Sequence, residues 1–133
     1  MTTAHNPLSR NDLKKTILIV EDDEGIRLLL KQILAFKTQY CVIFAWTGTE
    51  AIKAIAEIDP KLFVLNYNLP DTNGIALYDR LHALQRLEKV PALLLSARLP
   101  DSVTDEIKER NITFLQKPFK MLELLQLIDR LTA

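Results

Sequence analysis

One cysteine, three glycines and one tryptophan occur in 133 residues, and each scarcity removes a class of protein. The lone Cys41 permits no internal disulfide, and with only His5 and His82 for company it leaves no zinc cluster to assemble. That usage suits a reducing compartment. Three glycines, Gly25, Gly48 and Gly74, are too few and too scattered for a glycine-rich phosphate cradle. Neither charge dominates, since Lys+Arg and Asp+Glu both count 17. Without a basic excess nothing favours nucleic-acid phosphates or an anionic membrane surface. The longest unbroken apolar run, Tyr40 to Trp46, has seven residues, whereas a membrane span needs about 20. The opening residues are polar and lack an apolar signal core, so secretion is not expected and a cytoplasmic location is.

What remains is 48% hydrophobic and 26% charged, which describes one globular domain and excludes a wholly disordered chain. Five short runs stand out: Ile17 to Val20, Cys41 to Ala45, Leu62 to Leu65, Ala92 to Leu95 and Ile112 to Leu115. Four of them lack polar alternation, the mark of strands buried on both faces of a parallel sheet. They start about 20 to 30 residues apart, room for a helix in each gap.

The gaps carry helical stripes. The first is Ile26, Leu29, Leu30, Ile33 and Leu34; the second is Ala51, Ile52, Ile55 and Ala56, stopped by Asp59-Pro60. The third is Leu77, Tyr78, Leu81 and Leu84, the fourth Val103 and Ile107 with Asn111 as a left-handed cap. Met121, Leu124, Leu125, Ile128 and Leu131 make the fifth. The expected fold is α/β: a five-stranded, doubly wound parallel sheet in one domain spanning 15–133, after a flexible tail over 1–14, with no linker and no second domain.

In such a sheet ligands bind beyond the carboxyl ends of the strands. Reading there gives Glu21-Asp22-Asp23 after strand 1, Trp46 after strand 2, Asn66-Tyr67-Asn68 after strand 3, Ser96 after strand 4 and Lys117-Pro118 after strand 5. Each alone has an ordinary reading. Acids suit a helix start, Asn66 and Ser96 suit turns, and a lysine suits solvent. Trp46 and Tyr67 are expected at the pocket mouth as partly buried aromatics, and His82 as a surface residue remote from it. Two acids, an amide, a hydroxyl and a lysine converging on one edge is the observation that counts.

At these residues the chain resembles the receiver domain of two-component response regulators. The resemblance rests on Ile-Leu-Ile-Val-Glu21-Asp22-Asp23, on Asn66 through Gly74, on Leu95-Ser96-Ala97 and on Lys117-Pro118-Phe119. It implies a flavodoxin-like (βα)5 fold of strand order 2-1-3-4-5, a non-enzymatic role in phosphorelay signal transduction, and a phosphoryl group received from a histidine kinase. It further implies Glu21, Asp22 and the Asn68 backbone carbonyl as ligands of Mg²⁺, Ser96 and Phe114 as switch residues, and Lys117 as partner of the acceptor, with a cis Lys117-Pro118 bond. Histidine kinases, phosphorelay proteins and downstream effectors are the implied partners. A homodimer through the helix 4–strand 5–helix 5 face is implied too, where Leu122 and Leu127 lie off the main stripe.

The departure falls on Asn66, which stands where the family pattern has the phosphoacceptor Asp. An amide oxygen is a poor nucleophile beside a carboxylate, and losing one of three negative charges weakens a Mg²⁺ site. Degenerate, phosphorylation-independent signalling by protein–protein contact is therefore expected. The residue is either natural to a pseudo-receiver or the mark of an acceptor mutant. A flavin- or nucleotide-binding enzyme on the same fold is the alternative, opposed by the acidic loop after strand 1; no organic cofactor is expected.

Overall fold

The computed structural model describes residues 14–37 and 39–133. The expected tail over 1–14 therefore lies almost wholly outside the described residues. Strands and helices alternate: β1 (Lys15–Val20), α1 (Glu24–Leu34), β2 (Tyr40–Ala45), α2 (Gly48–Ala54), β3 (Pro60–Asn66), α3 (Gly74–His82), β4 (Ala92–Ser96), α4 (Val103–Glu109), β5 (Thr113–Gln116) and α5 (Met121–Leu131), with a 3-10 turn at Gln85–Leu87 before β4. All neighbouring strands pair in parallel, in the order β2-β1-β3-β4-β5.

The two faces of the sheet divide the core by strand period. Leu18, Val20, Phe63, Leu65 and Leu94 point to one side and pack with Ala51 of α2, Leu77 and Leu81 of α3 and Val103 of α4. Ile17, Ile19, Leu62, Val64, Leu93 and Leu95 point to the other, against Leu30, Ile33 and Leu34 of α1 and Leu124 and Ile128 of α5. Every residue of β4 is buried, which is why its sequence shows no alternation.

Helix starts follow local chemistry. Asp23 accepts from the Ile26 amide at 2.8 Å, Thr47 from Glu50 at 3.0 Å and Asn73 from Ala76 at 2.9 Å, each capping the helix behind it. Asn111 holds φ 55° just after α4, the left-handed turn expected of it.

Five expectations need correction. Leu29 is 41% exposed and Met121 55% exposed, so neither belongs to the buried stripe of its helix. Leu29 flanks the residues Leu30, Ile33 and Leu34 that α1 buries, and Met121 is the first residue of α5. Ala56 and Leu84 fall past the ends of α2 and α3, and both are exposed. His82 is not a surface residue. It is half-buried, stacks on Tyr78 with ring centroids 3.7 Å apart, and places both ring nitrogens 2.7 Å from the carbonyls of Tyr78 and Val90.

Candidate functional site at the carboxyl ends of the strands

The strand ends bring Glu21 and Asp22, Asn66, Ser96 and Lys117 to one edge. At β3 the chain must turn sharply, and Gly74 is required there: a Cβ would lie 2.5 Å from Leu94 Cδ1 and 2.9 Å from the Asn66 carbonyl oxygen. The intervening loop closes on itself, with the Gly74 amide donating to the Tyr67 carbonyl at 2.7 Å and Leu69 to Thr72 at 3.2 Å. Asn68 is thereby held over the end of β3, paired with Asn73.

A hydrogen-bond chain runs through the site. Lys117 Nζ donates to Glu21 Oε1 at 2.7 Å and to Asn66 Oδ1 at 3.0 Å. Asn66 Nδ2 then donates to the Asn68 carbonyl at 2.6 Å and to Asp22 Oδ1 at 3.2 Å. Lysine has only donors, so the amide must turn its oxygen toward Lys117 and its NH₂ toward Asp22 and Asn68. The chain's direction is fixed by chemistry rather than by choice of rotamer.

Glu21 is the electrostatic centre of this arrangement, its side chain only 1% exposed. Burial pushes its carboxyl above the ordinary range, while Lys117 and the Asp23 amide pull it back. Asp22 is exposed and unlike Glu21 makes no bond to Lys117.

The donor set does not suit a divalent cation as it stands. A hard cation at the Asp22–Asn68 position would meet the two amide hydrogens of Asn66, which already satisfy those oxygens. Reversing the amide would aim its NH₂ at Lys117, placing donor against donor. Among the described residues no group of three or more His, Cys, Asp or Glu side chains converges to hold a metal.

Ser96 is buried, and its hydroxyl is engaged within its own loop. It donates to the Arg98 carbonyl at 2.8 Å and accepts from the Arg98 amide at 3.2 Å. Phe114 is half-buried and packs with the core on the α2–α4 side. The Lys117-Pro118 bond is cis. Tyr67 and Asn68 line a cleft of about 350 Å³ with Arg98 through Asp101, whereas Trp46 stands on the other side, 56% exposed.

Two supporting residues escape a reading of the sequence. Arg27 donates to the Glu21 carbonyl at 2.9 Å and lies over the Trp46 ring at 4.1 Å. Asp71 reaches across 23 positions to accept from the Gly48 and Thr49 amides, both at 2.9 Å, and from the Thr49 hydroxyl at 2.7 Å. Those bonds, the Thr49 hydroxyl first, hold its carboxyl down to about 2. Asp71-Thr72-Asn73-Gly74 reads as a turn, but its partner on α2 has no local signature.

A flavodoxin-like, CheY-type α/β domain with its polar site at the strands' carboxyl edge is what these features define. The chain belongs to the response regulator receiver domain family, whose model matches residues 17–129. It is 36% identical over 115 residues to the uncharacterized transcriptional regulatory protein YkoG of Bacillus subtilis, covering 84% of this chain and 48% of that one. The non-phosphorylated HemR receiver domain of Leptospira biflexa superposes with a TM-score of 0.79 at 32% identity, covering 90% of this chain and 95% of that one. The receiver domain of the Pseudomonas aeruginosa sensor histidine kinase PA1611, with magnesium in its active-site cleft, gives 0.78 at 22% identity, with 90% and 98% covered. The chain spans about half or less of the curated relatives it matches. These likenesses give the flavin- or nucleotide-binding alternative no support. No helix among the described residues is long and apolar enough to cross a membrane.

Proposed function

We propose that this chain is a degenerate receiver that signals in the cytoplasm through protein contacts set by its shape rather than by phosphorylation. The observation that carries this is the Asn66 amide, tied to Lys117 on one side and to Asp22 and the Asn68 carbonyl on the other. Asn66 occupies the phosphoacceptor position, and its neutral oxygen, already accepting from Lys117, is not an in-line nucleophile. Glu21, Asp22 and the Asn68 carbonyl stand at the positions of the metal ligands. The Asn66 NH₂ group does there what a cation does in a receiver of ordinary pattern, so any affinity for Mg²⁺ is weak.

Ser96 and Phe114 are the switch positions. The Ser96 hydroxyl, bound within its own loop at Arg98, has the placement that the family pattern assigns to the state before activation. A fixed resting-type receiver follows. Its partners are a histidine kinase, a phosphorelay protein or a downstream effector, with output contacts on the α4–β5–α5 face, where Leu122 is 65% exposed and Leu127 half-buried. That face also suits contact with a second copy. The unit responsible is 15–133.

Incubation with Mg²⁺ and a small phosphodonor, followed by intact-mass measurement, tests the reading. No mass increase is expected. A stable gain of one phosphoryl group overturns it. Asn66→Asp supplies the missing oxygen and charge and is expected to gain phosphoryl acceptance, because Lys117 and Glu21 are already in place.

A further inference from the structure

Asp71 stands at the tip of the small loop that carries the Asn68 carbonyl. Asn68 and Asn73 face each other across that loop, between the two hydrogen bonds that close it. At its root the Gly74 amide donates to the Tyr67 carbonyl at 2.7 Å, and nearer the tip the Leu69 amide donates to the Thr72 carbonyl at 3.2 Å. In this pattern the facing pair keeps its own backbone groups turned out of the loop. The Asn68 carbonyl is thus free to accept from Asn66 Nδ2, at 2.6 Å. The root is firmly based, because the Tyr67 amide donates to Leu95 of β4 at 2.8 Å and Gly74 lies against Leu94 with no room for a Cβ. The bond nearer the tip is the longer of the two and lies outside the strands.

The tip is held by Asp71. Pro70 has no amide to donate. Among the described residues, no hydrogen bond other than those of Asp71 joins 69–72 to another element, although Leu69 adds apolar contact with the core. Both carboxylate oxygens are committed at the start of α2, one to the Gly48 amide and the other to the amide and hydroxyl of Thr49. A turn residue of this kind ordinarily caps the helix that follows it. Here Asn73 already caps α3, and Thr47 meets the Glu50 amide of α2, so Asp71 joins two elements instead. The approach is close: a Cβ at Gly48 would lie 2.7 Å from Thr72 Cγ2 and 3.4 Å from Asp71 Oδ1.

We propose that Asp71 is a positioning residue of the strand-end site: clamped to α2, it fixes the Leu69–Thr72 bond and with it the Asn68 carbonyl to which the Asn66 amide is tied. This rests on the reading of Asn66 as a pinned amide. Two acceptors hold that NH₂ group, and they differ in kind. Asp22, at 3.2 Å, offers an exposed side chain that can follow a moving amide. The Asn68 acceptor, at 2.6 Å, is a backbone carbonyl, which cannot follow and has to be placed. The start of α2 and the site therefore move together, and a partner that shifts α2 withdraws the carbonyl from the amide.

NMR of the Asn66 side-chain NH₂ in the intact chain reads the clamp apart from any change in stability. In Asp71→Ala the two proton signals are expected to draw together and to exchange with water about 10-fold faster than in wild type, as one well-made bond is lost. Asp71→Asn keeps one acceptor oxygen for the α2 amides and is expected to fall between the two. Thr47→Ala removes a cap from the same helix but none of the three bonds to Asp71, and is expected to leave the Asn66 signals in place. Thr49→Val takes only the hydroxyl bond and is expected to give a smaller change in the direction of Asp71→Ala. Asn66 signals in Asp71→Ala equal to those of wild type overturn the proposal. So does Thr47→Ala moving them as far as Asp71→Ala, which would make helix stability the cause. If Asp71→Ala does not fold, Thr49→Val decides, and unmoved signals there overturn the proposal. The wild-type mass measurement judges the reading of Asn66, whereas these differences among variants judge Asp71, so the two fail separately.

Discussion

The two edges of the sheet each carry a polar cluster that joins distant parts of the chain, and they are built on opposite principles. At the amino edge Asp129 accepts from Lys37 at 3.0 Å and from Tyr40 at 2.5 Å, and Tyr40 also meets Thr132 at 3.0 Å. Asp129 is 44% exposed, and its hydrogen bond from Tyr40 lowers its carboxyl below the ordinary range. At the carboxyl edge Glu21 is enclosed, and burial raises its carboxyl despite Lys117. The first cluster holds a charge where holding it costs little. The second keeps a carboxylate in a place that penalises it, the pattern associated with sites that act rather than merely fasten.

The largest expected effect separates the two lysines. Lys117→Met strands the enclosed Glu21 carboxylate and frees the Asn66 amide; breaking a buried pair of this kind costs about 3 kcal/mol. Lys37→Met removes an ion pair open to water and costs about 1 kcal/mol or less. Urea unfolding at neutral pH compares them, and equal losses would erase the distinction between the edges. Tyr40→Phe comes next. It deprives Asp129 and Thr132 of a hydroxyl partner, for about 1 kcal/mol in the same assay.

Acid titration gives smaller effects of opposite sign. The folded-state carboxyl of Asp129 is lowered, so its contribution is present above the unfolded value and is lost as pH falls through the folded one. Wild type should therefore lose stability relative to Asp129→Asn on acidification. The folded-state carboxyl of Glu21 is raised, so the fold binds its proton more tightly than the unfolded chain does. Wild type should gain relative to Glu21→Gln as pH falls from neutral. Parallel slopes for the two pairs would contradict the comparison. Asp71, held to about 2, loses its hold on the α2 start only in stronger acid.

Much of the carboxyl edge is legible in the sequence because strand ends are. Ile17 to Val20 and Ala92 to Leu95 announce strands buried on both sides, and whatever follows them must sit at the edge. The helix stripes are legible by the same burial, but only at their centres. Leu30, Ile33, Leu124 and Ile128 are enclosed, while Leu29 and Met121 obey the same spacing yet face water, since spacing does not tell how wide a groove receives a helix. Contacts made through backbone carbonyls leave no trace in side-chain pattern. His82 finds Val90, and Arg27 finds Glu21, only after the turns have formed. The amino-edge cluster falls in the same class, since Tyr40 and Asp129 are 89 positions apart and neither belongs to a motif.

The direction of the Asn66 amide is the point on which the account turns, and a Mg²⁺ titration followed by NMR of that side-chain NH₂ reads it directly. With both hydrogens engaged by Asp22 and Asn68, the two proton signals should be widely separated, slow to exchange, and unmoved through millimolar Mg²⁺. Saturable movement of those signals, with loss of the Asn68 contact, would mean that the cation displaces the amide and would contradict it.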